Sequence, residues 1–442
     1  MATHTQTINR NESETGFRGQ DDLYPAASGL VTAIDVGTTK VCALLGQKQP
    51  TGGIKFLAHS TTPCNGLRKG SVVDITTTSS AIKSVVRDLE SSTGYKIDSA
   101  FISVTGAHIS FQNRRDKLQP LTSTDVITAD ALSESGFPSI TPDDPGQKLI
   151  QAIRMNYCVD GEVDIRNPIG MHSDELEIET HVVTGQTEIL DRLSKAVRQA
   201  GISMTGMILE PLASAFAVLT DDEKERGVVM IDIGGGTTDI VAFKNGKICY
   251  TGVIPVGGFQ FTNDIAVTLN TPFQLAEKSK IRYGSTELHP LDGNKDVSFE
   301  VDGEGRALKV KASDINQIIR ERAFELARLV QIKLSDSGLD ENIINNIVLT
   351  GGASNLRGLV EFLRRTLSVE IRKGNPKEFL GLPEELRDGV YATSAGMLLW
   401  AMDEDSVSED RGENPHNQNL IEKGARTGIL WGLLNSINKL MP

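Results

Sequence analysis

One pattern is written twice in this chain: an apolar strand, an aspartate, a glycine turn, two threonines and a second apolar strand. The first copy is AIDVGTTKVCALL, residues 33–45, with Asp35 ahead of the turn. The second is MIDIGGGTTDIVAF, residues 230–243, with Asp232 ahead of it. Repeats this far apart belong to separate folded units of one kind, which constrains the fold more than any local propensity does. The flanking sequence keeps the parallel. LVTAIDV, VCALLGQ and IKFLAHS read as consecutive strands. A helix from Thr76 follows, with Ile82, Val85, Val86 and Leu89 on one face and a stop at Gly94, and SAFISVTG is a strand again. GVVMIDIGG, TTDIVAFKNG and KICYTGVIPVGG give three more strands, then a helix from Thr262. The expected class is α/β, with two related domains of mixed strands and helices.

Two insertions interrupt the plan. Residues 108–184 hold strand-like HISFQN, a helix in DDPGQKLIQAIRMN and strand-like LEIETHVVTG, which together make a small α/β subdomain. Residues 269–338 carry a long helix, SDINQIIRERAFELARLVQIKLSDSG, that Ser313 is placed to cap and Gly338 to end. Residues 1–28 are polar and aperiodic and read as a disordered arm; acidic residues 403–425 read as a flexible linker.

After the linker comes GILWGLLNSINKLMP, which sets Ile429, Leu430, Leu433, Leu434, Ile437 and Leu440 at helical spacing, with Trp431 beside them. Asn435, Ser436, Asn438 and Lys439 take the other side. A bilayer span needs about 20 apolar residues, so this segment suits a helix lying in a membrane interface, or one docked on the protein's own core. The net charge of −13 argues against non-specific nucleic-acid binding, which needs a basic face. The four cysteines show no metal-ligand spacing and read as reduced, buried thiols.

The two turns carry phosphate chemistry. Gly234, Gly235 and Gly236 let backbone N–H groups approach an anion without obstruction, and Thr237 and Thr238 add hydroxyl donors. Gly37, Thr38 and Thr39 offer the same in the first copy, with Lys40 as a charge partner. Asp35 and Asp232 are placed to hold a hydrated Mg²⁺, which prefers carboxylates, water and phosphate oxygens. A single glycine turn is also an ordinary tight hairpin; two copies on two domains can close on a triphosphate from both sides. Gly351 and Gly352, in NIVLTGGASNLRGL, offer flat backbone for an adenine or its α-phosphate, or serve only the strand-to-helix turn. Glu277 and Lys280 share a helix face and can hydrogen-bond ribose hydroxyls, or form a plain ion pair.

The order of these motifs resembles the actin, sugar-kinase and DnaK-type ATPase superfamily. Within it, GLRKGSVVDI, VTGAHISFQN, PVGGFQFTNDIA, TPFQLAEKSKIRYG and IVLTGGASNLRGL resemble the FtsA family of bacterial cell-division proteins. The resemblance implies an actin-like, ribonuclease-H-like two-domain ATPase fold with an inserted subdomain and a C-terminal membrane-targeting helix. The implied boundaries are 29–107 and 185–226 for subdomain 1A, 108–184 for 1C, 227–268 and 339–402 for 2A, 269–338 for 2B, and 426–442 for the terminal helix. It also implies Mg·ATP binding, self-assembly into filaments, later division proteins as partners, and a place on the cytoplasmic face of the membrane at the division site. The tail of the tubulin-like protein FtsZ is expected on 2B, where Arg320 and Arg322 can meet acidic groups. Two thin helices, LEPLASAFAVL and YATSAGMLLW, are the implied hinge. Glu210 then faces the cleft as the candidate water-orienting or general-base residue, with slow hydrolysis at most. After Val256-Gly257-Gly258 this chain has Phe259 where the family often has Asp or Asn.

Three other functions compete. A sugar or small-molecule kinase needs a catalytic aspartate in the first domain, and the sequence offers no convincing one. A DnaK-type chaperone needs a further substrate-binding domain. A PilM-like pilus assembly protein is closer, but is expected to lack the terminal amphipathic helix.

Overall fold

The computed structural model describes residues 29–50, 52–118, 126–135, 138–287, 296–300 and 307–401. The expected arm, linker and terminal membrane helix lie outside the described residues.

The chain first lays down β1 (Leu30–Val36), β2 (Lys40–Lys48), β3 (Ile54–Pro63), a small hairpin of β4 (Leu67–Arg68) and β5 (Ser71–Val72), α1 (Ile75–Thr93) and β6 (Ser99–Val104). An inserted unit follows, with β7 (Ile109–Lys117), α2 (Ala129–Ser135), β8 (Gln147–Val159), β9 (Glu162–Ile165) and β10 (Leu176–Gln186). α3 (Thr187–Gln199), β11 (Ser203–Leu209) and α4 (Glu210–Val218) return to the first domain, and α5 (Asp221–Arg226) leads on. The second domain has β12 (Val228–Ile233), β13 (Thr238–Lys244), β14 (Lys247–Ile254), α6 (Gly258–Thr268), α7 (Phe273–Tyr283), β15 (Asp296–Glu300), β16 (Ala307–Lys311) and α8 (Ala312–Ser335). α9 (Glu341–Ile344), β17 (Asn346–Thr350), α10 (Leu359–Leu367), β18 (Glu370–Lys373) and α11 (Ala392–Trp400) complete it.

The duplication in sequence is a duplication in topology. One sheet runs β3-β2-β1-β6-β11 and the other β14-β13-β12-β17-β18. In both, the first three strands are antiparallel; the central strand then pairs in parallel with its next neighbour (β6 or β17), and that neighbour pairs in parallel with the outer strand (β11 or β18). Strand β12 is buried at every residue, as expected for a strand covered on both faces. α1 forms as expected: the Asp74 side chain accepts from the Thr77 amide, and Gly94 closes the helix with φ of 71°.

Three local expectations need correction. DDPGQKLIQAIRMN is not helical; most of it is β8, paired with β10 along nearly its whole length. Leu149, Ile150 and Ile153 mimic a helical stripe, but cross-strand pairing decides the conformation. Ser313 does not cap α8. The N-cap is Lys311, and Ser313 sits inside the first turn, donating to Asp314. α6 starts at Gly258, a turn earlier than Thr262.

Candidate functional site

The turns are of equal length. Val36 pairs with Val41 and Ile233 with Thr238, leaving four residues in each loop. Each is closed by one bond, Gly37 N–H to the Lys40 carbonyl at 3.0 Å and Gly234 N–H to the Thr237 carbonyl at 2.9 Å. Register therefore aligns Thr38 and Thr39 with Gly235 and Gly236, not with Thr237 and Thr238. The two turns then interlock. A Cβ on Gly235 would meet Thr39 Cγ2 at 2.7 Å, and one on Gly236 would overlap Thr38 Oγ1. The threonines of one domain fill hollows left by the glycines of the other, so the turns face each other across the cleft.

Beneath the turns, each repeat aspartate is held by a helix that crosses between the domains. Ser394 on α11 donates to Asp35 Oδ2 at 3.0 Å, and Ser214 on α4 donates to Asp232 Oδ2 at 2.6 Å. Ser103 on β6 lies 3.0 Å from Asp35 Oδ1 and 3.2 Å from Glu210 Oε1, and its oxygen accepts from the Val36 amide at 2.9 Å. Asp239 faces Asp232 across the β12–β13 ladder. It accepts from Thr237 at 2.9 Å and from Thr105, which belongs to the first domain.

Asp35, Glu210, Asp232 and Asp239 therefore converge in a desolvated cleft. Burial raises the Asp232 carboxyl to about 6 and the Asp239 carboxyl to about 7. Burial, with the charges of Asp35, Asp239 and Asp232 behind it, pushes Glu210 well above the usual carboxylate range. Asp35 is raised by burial against the pull of Lys40. Such a cluster is unfavourable when fully ionised, and a cation relieves it.

Gly351 has a structural reason to be glycine whatever the turn binds. Its φ of 89° and ψ of 162° suit glycine alone, and a Cβ there would overlap Asp232 Oδ1. The turn is glycine because the backbone must pack on the aspartate. Gly352 has more room: a methyl added there would meet nothing nearer than Val390 Cγ2, at 3.6 Å. Glu277 and Lys280 do form an ion pair, at 2.8 Å, beside the second turn. Lys280 Nζ also donates to the Gly258 carbonyl at 3.0 Å and to Thr262 at 2.8 Å, and the Gly258 amide donates to Gly234 O at 2.9 Å.

The remaining sequence candidates make other contacts. Lys40 donates to the Val390 carbonyl at 3.3 Å, with its ammonium 4.0 Å from the Tyr391 ring centre, and its charge acts on Asp35. Phe259 stacks with Phe273 at 4.7 Å, leaving its backbone amide to bond Gly235 O. Arg320 and Arg322 lie on α8, outside the cleft. Arg322 is bound to Asp264 at 2.6 Å and to Glu325, and Arg320 lies over Phe324 and Phe362. Sequence reasoning missed Asp239, Ser103, Thr105 and the two helix serines. Asp239 had a signal: the register of the second hairpin returns it to the level of Asp232.

Comparison with known proteins agrees with this architecture. The family model for the cell division protein FtsA matches residues 229–396, and that for the SHS2 domain inserted in FtsA matches residues 106–184. The FtsA protein of Pseudomonas aeruginosa is 35% identical over 380 residues, covering 85% of this chain and 90% of that protein. The Escherichia coli K12 protein is 31% identical over 378 residues, covering 84% and 89%. Among solved structures, a PilM–PilN type IV pilus biogenesis complex chain matches with a TM-score of 0.59 at 19% identity, over 84% of this chain and 97% of that one. MreB 5 of Spiroplasma citri matches at 0.52 and 14%, over 91% and 99%. These two likenesses concern the fold alone. From fold, inserted domain and sequence together, this chain belongs to the FtsA family of bacterial cell-division proteins and has an actin-like fold.

Proposed function

We propose that the cleft binds Mg·ATP and that the protein uses it to assemble and to tether FtsZ filaments to the cytoplasmic membrane at the division site. The observation that carries the nucleotide reading is the meeting of the two turns over four acids, of which Asp232 and Asp239 are buried and Asp35 and Glu210 half-buried. The Spiroplasma MreB 5 with the same fold was solved bound to AMPPNP, which supports it. Backbone amides of both turns and the hydroxyls of Thr38, Thr39 and Thr237 would face the phosphates. Glu277 and Lys280 would face the ribose, and Gly351 and Gly352 the base side. Asp35 and Asp232 would hold the metal, with Asp239 beside them. Among the described residues no three His, Cys, Asp or Glu side chains form a ready coordination shell, so water and phosphate oxygens would supply most ligands, as Mg²⁺ prefers. When bound, Mg²⁺ supplies positive charge that neutralises the phosphates. Burial and the neighbouring carboxylates disfavour the charge on Glu210, so positive charge in the cleft would favour the form that can act as a base.

The tether has two ends. The terminal helix, 426–442, takes the membrane. On the second insertion Arg322 is paired with the carboxylates of Asp264 and Glu325, whereas Arg320 donates only to the Thr286 carbonyl among the described residues and lies beside the half-exposed Phe324, which makes it the better place for an acidic, partly apolar FtsZ tail. Among the described residues no helix is long and apolar enough to cross a membrane. The test is liposome sedimentation of the full chain and of a chain lacking its last fifteen residues, with ATP and FtsZ varied. The full chain should carry FtsZ down with lipid and the truncated chain should not. Equal sedimentation of FtsZ by both overturns the tether.

A further inference from the structure

The inserted unit does not hang from the first domain as a separate bead. It touches both domains at once. Toward the first domain, Gln151 on β8 is buried and accepts from the Leu209 amide at 2.9 Å, and Leu209 is the N-cap of α4, the helix that Glu210 begins. Toward the second domain, His181 on β10 is fully buried. Its ring nitrogens lie 2.6 Å from Asn113 Oδ1 and 3.2 Å from Thr251 Oγ1 on β14. Asn113 on β7 also donates from Nδ2 to the Cys249 carbonyl at 2.9 Å.

Rings close the same contact. Phe111 stacks on His181 at 5.0 Å and meets the edge of Tyr250 at 5.1 Å. Where the parts meet, a cavity of about 10 Å³, room for roughly one water, is bounded by Ile109 and Ser110 of the insertion, Leu209 and Pro211 at the root of α4, and Thr251 to Val253 of β14.

This placement has a mechanical consequence. The strand that the insertion grips, β14, is the edge strand of the sheet whose centre carries Asp232 and the second turn. The helix root that it grips leads directly to Glu210. Any rotation of the two domains about α4 and α11 changes the distance between Leu209 and Thr251, and the insertion is bonded to both. The buried bonds, His181 to Thr251 and Leu209 to Gln151, either hold or break, so the contact has discrete states rather than a continuous slide.

We propose that the His181–Asn113–Thr251 clasp makes the inserted unit a reader of the cleft. Closing or opening the cleft repositions the insertion through β14 and Leu209, so the surface that the insertion presents to other proteins depends on what the cleft holds. This rests on the nucleotide reading above for its ligand, but the clasp itself does not.

Hydrogen–deuterium exchange on the full chain tests both, using wild type, Asn113→Ala and His181→Phe, each with and without Mg·AMPPNP. Asn113 is exposed, so its removal spares the core if His181→Phe fails to fold. Without nucleotide, Asn113→Ala should speed exchange in β7 and β14 by about tenfold while the α1 and β6 amides stay unchanged. With nucleotide, wild type should gain protection at the turns, 34–40 and 232–239, and also change in β7 and β10. In Asn113→Ala the turns should still respond while β7 and β10 no longer do. A β7 and β10 response that survives in the variants overturns the proposal. So does a wild type in which the turns respond and the insertion does not. Turns that ignore nucleotide while Asn113→Ala loosens β14 would reject the nucleotide reading and keep the clasp as a structural brace, which overturns its role as a reader.

Discussion

Gly396 lies so close to Ala213 that a Cβ on it would overlap the Ala213 carbonyl oxygen. This is the crossing point of α11 and α4, flanked by Ser394 on Asp35 and Ser214 on Asp232. The edge-to-face pair of Phe216 and Trp400, at 4.7 Å, packs the same two helices farther along. The duplicated aspartates are thus tied to the two crossing helices, and a change at either aspartate is felt at the crossing point.

Gly396→Ala should therefore be among the costliest one-carbon changes in the molecule. Overpacking a core typically costs about 1–3 kcal/mol, and here the obstacle is backbone rather than a flexible side chain. Thermal unfolding should show a drop of several degrees. Gly352→Ala, with open space beside it, should unfold within about a degree of wild type. Equal stability of the two variants contradicts the close crossing.

The turns make a second prediction. Gly236→Ala puts a methyl where Thr38 Oγ1 stands, so the domains must part at the cleft while each keeps its own core. Calorimetry should show Mg·ATP affinity at least tenfold weaker, with the unfolding temperature little changed. Wild-type affinity would mean that the turns need not meet.

The buried acids predict a pH dependence. In the unfolded chain aspartates ionise near pH 4, by the usual value of about 3.9. In the fold, burial raises Asp232 to about 6 and Asp239 to about 7. Their stabilising contribution is whole below pH 4 and is lost as pH rises through those values. Ligand-free protein should lose stability between about pH 4 and 7 relative to Asp239→Asn, and Mg²⁺ should bind more tightly as pH rises through about 6 to 7. Glu223, held at about 2 with Arg372 and the Thr220 cap bonded to it, acts in the opposite direction, but only at lower pH. Identical pH profiles for wild type and Asp239→Asn count against the acid cluster.

For the proposed membrane anchor, Trp431→Glu or Leu434→Glu each places a charge on the apolar face that helical spacing would give residues 426–442, costing about 2 kcal/mol or more. Both should release the protein from liposomes and leave nucleotide affinity alone. Undiminished co-sedimentation points to a helix docked on the protein instead.

The fold was legible where periodicity and chemistry coincided. Asp35 and Asp232 announced two domains, Thr76 to Gly94 announced α1, and Pro211 marked the start of α4. It was not legible where distant pairing overrides a local pattern, as in β8, whose apolar spacing is helical but whose partner is β10. The site was half legible. The turns are local and could be read, whereas Ser103, Ser214 and Ser394 are ordinary serines until topology brings them to the carboxylates. The pairing of Thr38 and Thr39 with Gly235 and Gly236 needed hairpin register, which the sequence GTT in both copies disguises. The contact of His181 on β10, an inner strand of its sheet, with Thr251 on the edge strand β14 leaves no mark in either segment.

The most direct measurement is a calorimetric titration of Mg·ATP into the full chain and into Asp232→Ala. The cleft account predicts saturable, Mg²⁺-dependent binding to wild type and a loss of at least about a hundredfold in the variant, since the change removes the acid on which Ser214 and the Gly351 turn converge. Wild-type affinity with unchanged Mg²⁺ dependence in Asp232→Ala would contradict it.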